Sequence, residues 1–260
     1  MKDTLTIIKV GGAVVEEAQS LSALLSGFSQ IGGSKILVHG GGRTATALAS
    51  RMGIETRMVE GRRITDEEML KVVTMVYGGL VNKQIVASLS QLGIKALGLT
   101  GADMGVIRSH RRPVTPQGVD YGFVGDVDKV DGEALKVLIE GGIVPVMAPL
   151  TLGEDGHLLN TNADTIAGSV ATAMASLYDT TLVFCFEKKG VLRDPDDDDS
   201  VIPHINAQSY EQLKSDGIVS GGMLPKLNNA FQALRSGVKN VIITRADQQS
   251  SASGTTITLD

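Results

Sequence analysis

Apolar, β-branched runs at 4–10, 35–39, 94–99, 143–147, 179–186 and 239–244 alternate with stretches of helical period, and glycines mark the joints. Neighbouring parallel strands need helix-length crossovers, so this alternation predicts an α/β protein with a mainly parallel sheet. Helices are expected near 17–31, 43–52, 65–91, 131–141, 163–176, 206–215 and 222–236. The segment 104–130, broken by Pro113, Pro116 and several glycines, reads as hairpins beside the main sheet. A last strand at 255–259 is expected to close an edge. Thr65 with Glu68 three residues on is a capping-box pairing, and Gly78-Gly79 inside the long helix reads as a break, a kink or a close approach to another helix.

At 260 residues with 42% hydrophobic content, the chain can bury a full core as one large α/β domain or two lobes. Its net charge of −5 provides no global basic field, which together with only four Tyr, five Phe and no Trp argues against nucleic acid as a partner. The first residues lead into a short strand without the apolar core of a signal peptide, and no run of apolar residues is long enough to span a bilayer. A cytoplasmic, membrane-free protein is therefore expected. The single Cys185, set in the apolar run 181–186, cannot form an internal disulfide and reads as a small core hydrophobe.

Two glycine clusters stand directly after predicted strands: Gly11-Gly12 after Ile7-Ile8-Lys9-Val10, and Gly40-Gly41-Gly42 after Ile36-Leu37-Val38-His39. At the carboxyl ends of parallel strands, glycines let the backbone approach an anion, and the helix that follows directs free amides at it. Neither cluster has dinucleotide-fold or P-loop spacing, and no nucleophile elbow is present. The four histidines show no metal-ligand spacing with one another or with Cys185, so no protein-held metal is expected. The acidic run 194–199 fails as a calcium loop because Asp199 stands where glycine is needed and Ile205 where glutamate is needed.

Three further segments carry chemistry-bearing residues. Arg62-Arg63 follows Gly61, where an arginine can grip a carboxylate with two donors or simply be solvated. Asn160-Thr161-Asn162-Ala163-Asp164 opens a helix, where Asn or Asp also serves as a cap. Gly221-Gly222-Met223-Leu224-Pro225-Lys226 opens another. In this order, with Lys9-Val10-Gly11-Gly12 and Val38-His39-Gly40-Gly41-Gly42, these blocks resemble the signatures of the N-acetylglutamate kinases within the amino-acid kinase superfamily. The likeness spans nearly the whole chain.

The resemblance implies a three-layer αβα sandwich, with an acyl-glutamate-binding and dimerising lobe at 1–176 and an ATP-binding lobe at 177–260. It implies ATP-dependent phosphorylation of the side-chain carboxylate of N-acetyl-L-glutamate in arginine biosynthesis, with ATP and Mg²⁺ as cofactors. Lys9 and Lys226 would stabilise the transferring phosphoryl group, and Asp164 would orient both. Gly11, Gly12, Gly41 and Gly42 would cradle phosphoryl oxygens, while Gly41, Gly42, Arg63 and Asn160 would bind the amino-acid substrate. Lys226 and Glu187 would face the nucleotide, Glu187 standing where the family usually has aspartate. A carboxylate nucleophile is already ionised near neutral pH, so the absence of a catalytic histidine is consistent with this chemistry.

The alternatives are an N-succinyl-L-glutamate kinase, another amino-acid kinase, or a non-catalytic sensor of the same fold. The first draws on the basic stretch Arg108-Ser109-His110-Arg111-Arg112, which either meets a second carboxylate on the acyl group or is a solvated turn. Family members that form arginine-inhibited hexamers carry a helix ahead of the first strand, and here the strand starts by Thr4. The expectation is accordingly a homodimer insensitive to arginine, paired along 65–92, where Met69, Val72, Val73, Val76, Leu80 and Val81 exceed one core-facing stripe.

Overall fold

The computed structural model describes residues 2–221, 223–246 and 254–260, and it divides into two compact units, Met1–Ile36 with Ala167–Asp260, and Leu37–Ile166. The first unit is discontinuous in sequence because strand Thr4–Val10 pairs in parallel with Asp179–Phe186 along its full length, Lys9 opposite Phe184 and Val10 opposite Cys185. This division by packing differs from a cut by ligand at residue 176.

In the first unit the strands run in the order His204–Ile205, Thr255–Ile257, Asn240–Arg245, Asp179–Phe186, Thr4–Val10. All neighbouring pairs are parallel except Thr255–Ile257 with Asn240–Arg245. The last strand is thus one place in from the edge rather than closing it, because the short strand His204–Ile205 pairs with its outer side. Ile7, Ile8 and Val10 on one strand and Leu182, Phe184 and Cys185 on the next are buried at adjacent positions, the mark of strands covered on both faces. Each such Ile or Leu side chain contributes about 1.5–3 kcal/mol by leaving water. Helices Ala18–Gln30, Ala207–Ser215 and Met223–Arg235 fall where the periodicity predicts them, whereas the five-residue helix Gly12–Glu16 has too short a pattern to be legible.

The second unit holds the parallel pairs of Val144–Met147 with Leu37-Val38 and with Ala96–Leu99. A four-stranded sheet in the order Leu158–Asn160, Leu150–Gly153, Ile107–Arg111, Gly125–Val130 contains the hairpin expected from 104–130. Helix Glu67–Gln91 is long and apolar enough to cross a bilayer by composition. Yet Met69, Val72, Val73, Val76, Tyr77, Val81, Ile85 and Leu89 are all buried, as in a core helix.

Two expectations for this helix are corrected. Asp66, not Thr65, caps it, its side chain accepting from the Met69 amide, so the Thr65–Glu68 capping box does not form. Thr65 is instead buried and bound to its neighbours across the fold, an option that local sequence does not reveal. Nor do Gly78 and Gly79 break the helix: they lie within a π-helical segment, Thr74–Val81, that joins two α-helical stretches. A Cβ on Gly78 would meet Leu150 and Thr100 at 3.5 Å, while Gly79 faces open space.

Candidate active site

In the first unit, Lys9, Gly11, Gly12, Glu187 and Lys226 line one open cleft of about 300 Å³. Gly11 follows the end of strand Thr4–Val10, and its amide donates to the Cys185 carbonyl at 3.1 Å, fixing the turn to the neighbouring strand. Helix Gly12–Glu16 starts at once, so its first amides lack partners within the helix and suit an anion. Phe186, the last residue of its strand, lies beneath both lysines: Lys9 Nζ is 4.9 Å and Lys226 Nζ 3.7 Å from the ring centroid. Gly222 of the Gly221–Lys226 block lies outside the described residues.

Lys188 and Lys189, which follow Glu187, meet the acidic run. Lys188 Nζ reaches Asp198 Oδ1 at 2.9 Å and Lys189 Nζ reaches Asp199 Oδ1 at 2.6 Å, so the last two carboxylates of the acidic run are paired. The Asp198 hydrogen bond and charge raise the Lys188 pKa above the ordinary lysine value. Glu187 is exposed at the mouth of the cleft.

In the second unit the remaining residues assemble around the other glycine turn. Gly41 has φ +156°, and a Cβ there would come 3.1 Å from Tyr77 Cδ1, so the turn packs directly on the π-helical segment. The three glycine carbonyls all have partners on the protein side. Gly40 O is 2.7 Å from His39 Nδ1, Gly41 O accepts from the Ala45 amide at 3.0 Å, and Gly42 O accepts from Arg63 Nη2 at 2.7 Å. With carbonyls held inward and helix Gly42–Arg51 beginning there, the amides at its N-terminus are the groups suited to face an anion.

His39 and Asn82 were not singled out for this role by sequence. His39 is fully buried, with Nε2 3.1 Å from Asn82 Nδ2, and Asn82 Nδ2 also donates to Val146 O at 2.9 Å. A carbonyl can only accept, so the amide nitrogen must face Val146, His39 Nε2 must be unprotonated, and the proton sits on Nδ1, donating to Gly40 O. Burial, then the charge of Lys83, push the His39 pKa down to about 4 against the opposing bond to Gly40. Lys83 Nζ donates to Asn82 Oδ1 at 3.2 Å, completing the amide. A Cβ on Gly98 would overlap Asn82 Oδ1, so only glycine leaves space for this arrangement. Asn82 is followed by Lys83 and Gln84 on the same helix, so no local signal set it apart.

Arg63 is buried, and its fork is shared: Nη2 also donates to Thr46 Oγ1 at 2.8 Å and Nη1 to Thr56 Oγ1 at 3.2 Å. It is therefore a tie across the glycine turn as well as a candidate substrate ligand. Asn160 Nδ2 donates to Thr65 Oγ1 at 3.0 Å, and Thr65 Oγ1 donates to Arg63 O at 3.0 Å, so Thr65 joins the two candidate substrate residues. Asp164 stands in the first turn of helix Ala163–Ala175. Asn162 provides the cap there, its Oδ1 accepting from the Asp164 and Thr165 amides at 2.8 and 3.1 Å.

The basic hairpin carries its own counter-charges. Arg112 Nη2 is 2.7 Å from Asp126 Oδ1, His110 Nδ1 is 2.6 Å from Asp128 Oδ1, and Arg111 lies 3.8 Å over the Phe123 ring. Burial, and then the like charge of Arg112, hold the Arg62 guanidinium below its ordinary range.

The amino acid kinase family model matches residues 4–245. The chain is 63% identical over 257 residues to an acetylglutamate kinase of Phocaeicola vulgatus, covering 99% of both chains. It is 61% identical over 257 residues to an acetylglutamate kinase of Bacteroides thetaiotaomicron, again covering 99% of both. Among solved structures, a protein of Streptococcus mutans UA159 superposes with a TM-score of 0.81 at 26% identity, covering 98% of this chain and 99% of that one.

Proposed function

The chain belongs to the amino acid kinase family, and from that premise we propose that it transfers the γ-phosphoryl group of ATP to the side-chain carboxylate of N-acetyl-L-glutamate, a step of arginine biosynthesis. The observation that carries this reading is the pair of ammonium groups, Lys9 and Lys226, gathered on one ring beside the Gly11-Gly12 turn. A carboxylate with a pKa near 4.3 in model peptides is already a nucleophile at neutral pH, so no base is needed. One of its oxygens forms a bond to the γ-phosphorus as the β,γ-bridging bond breaks, giving ADP and an acyl phosphate. What the protein must add is positioning and charge stabilisation on the transferring group.

In the first unit, Lys9 and Lys226 take the catalytic role, Gly11 and Gly12 contact phosphoryl oxygens, and Glu187 and Lys226 face the nucleotide. In the second, Gly41 and Gly42 present amides, Arg63 and Asn160 hold the amino-acid substrate, and Asp164 orients the lysines. By ligand, residues 1–176 are the acyl-glutamate part and 177–260 the ATP part. Mg²⁺ would enter with the nucleotide, as MgATP. Bound to the phosphates, it would offset part of their charge.

Pairing of the hairpin's Arg112 and His110 with Asp126 and Asp128 supports the acetyl over the succinyl substrate, since a second carboxylate would compete with ligands already in place. Of the residues expected to pair two copies along 65–92, Met69, Val72, Val73, Val76 and Val81 are buried within the chain itself, so a cytoplasmic homodimer paired there would rest on the exposed Leu80 and its neighbour Met75. Purified protein with MgATP and a panel of N-acetylglutamate, N-succinylglutamate, glutamate, aspartate and UMP tests the reading. ADP release is expected with N-acetylglutamate above all others. Preference for the succinyl compound would reassign the substrate, and turnover with none would support a sensor.

A further inference from the structure

We propose that Phe186 is a positioning residue for phosphoryl transfer, its π face holding the ammonium groups of Lys9 and Lys226 toward the cleft; the proposal rests on the reading of those lysines as catalytic. Phe186 ends strand Asp179–Phe186, at the carboxyl edge where a parallel sheet presents its ligands. Residues two apart on a strand share a face, and the fully buried Phe184 lies behind it, ring centroids 6.2 Å apart and planes within 7°. The ring is thus propped from the core side.

The ring lines the lysine cleft and also a neighbouring one with Glu17 and Arg245. Lys226 Nζ at 3.7 Å and Lys9 Nζ at 4.9 Å are both within the roughly 6 Å over which a ring quadrupole attracts a cation. A Cβ on Gly11 would lie 3.6 Å from Phe186 Cδ1 and 4.0 Å from Lys9 Nζ, so the same ring also walls the glycine turn. Lys9 enters from the adjacent strand and Lys226 from the first turn of helix Met223–Arg235, so one side chain orders cations from two elements.

The chemistry favours an aromatic ring in this place. Phosphoryl transfer needs positive charge that strengthens its contact as negative charge develops on the transferring oxygens. A ring attracts the ammonium groups and adds no negative charge. It is also rigid, with two side-chain torsions, which restricts where the long lysine chains can place their ends.

The experiment replaces Phe186 in the full-length protein with 4-fluoro-, 3,5-difluoro- and 3,4,5-trifluorophenylalanine. Fluorine withdraws charge from the ring face while changing its volume little. Turnover with MgATP and N-acetylglutamate is expected to fall stepwise with each fluorine, about tenfold across the series, with Tm and KM for N-acetylglutamate near wild type. F186W, which keeps a strong π face, should retain more turnover than F186L, which keeps only apolar bulk. Equal turnover across the fluorinated series would overturn the proposal, and a loss confined to F186L would assign Phe186 to packing. K9A and K226A, measured alongside, test the underlying reading separately: if they turn over normally, the lysines are not catalytic whatever the fluorinated series does.

Discussion

Two glycine turns, each at the carboxyl end of a parallel strand, are stabilised by opposite means. Around Gly11-Gly12 the organising element is cationic and open to a cleft, with two lysines on a ring. Around Gly40-Gly41-Gly42 it is neutral and buried: a histidine held uncharged, an asparagine that fixes its tautomer, and an arginine whose fork is occupied by a carbonyl and two hydroxyls. The first arrangement concentrates charge, which is what the proposed phosphoryl transfer would need. The second ties the turn's carbonyls to the protein and so fixes backbone direction. The same residue type in the same topological place thus serves two tasks, and the side chains around it decide which.

The largest effect expected from breaking this contrast is on the cationic turn. K9A and K226A should each fold and lose on the order of 10²–10³ in kcat, as for removal of one preorganised charge from a reaction site. Steady-state kinetics alongside a thermal melt separates that loss from unfolding, and near-wild-type kcat in either variant would remove that lysine from the chemistry.

Next comes R63K on the neutral turn. Lysine keeps the charge but cannot bond Gly42 O, Thr46 and Thr56 together, so KM for the amino-acid substrate should rise about tenfold or more while KM for ATP changes little. Equal rises in both would place Arg63 outside substrate recognition.

The buried histidine sharpens the contrast through pH. His39 has its pKa lowered from 6.5 to about 4 in the folded protein, so below pH 6.5 the unfolded chain binds a proton that the folded one refuses. Stability contributed by this group is therefore fully present above pH 6.5 and is lost as pH falls toward 4, by about 3 kcal/mol in total. Denaturant titrations across that range should show a steeper decline for wild type than for H39Q. Parallel declines would mean that His39 is not held neutral.

Much of the frame was legible because the strands are nearly continuous β-branched runs, and Asp179–Phe186 and Thr4–Val10 appear where those runs lie. The glycine turns were legible for the same reason, since each closes such a run. The supporting residues were not. Thr65 looked like a helix cap because capping is local, whereas its actual partners, Tyr121 and Asn160, are far along the chain. Phe186 looked like the end of a core strand, and only the fold brings Lys9 and Lys226 over it. The acidic run gave no sign in sequence that Asp198 and Asp199 pair with Lys188 and Lys189, ten residues back.

The smallest effect expected is at Cys185, whose carbonyl accepts from the Gly11 amide while its buried thiol belongs to neither turn. Burial pushes its thiol up to about 12, with Lys9 opposing only in part, so it should resist a thiol reagent at pH 8 in the native protein and react on unfolding. Rapid native labelling would show that the strand end opens to solvent.

The most direct test of the proposed reaction, attack by a carboxylate on ATP, is to trap the product. Acyl phosphates react with hydroxylamine to give hydroxamates, whereas phosphate esters and free phosphate do not. With N-acetylglutamate, MgATP and hydroxylamine, the wild-type protein should yield one side-chain hydroxamate for each ADP released, and K226A should lose both signals in parallel. ADP released without hydroxamate would mean that the phosphoryl group goes to water or to another acceptor, and would contradict the assignment of the carboxylate as nucleophile.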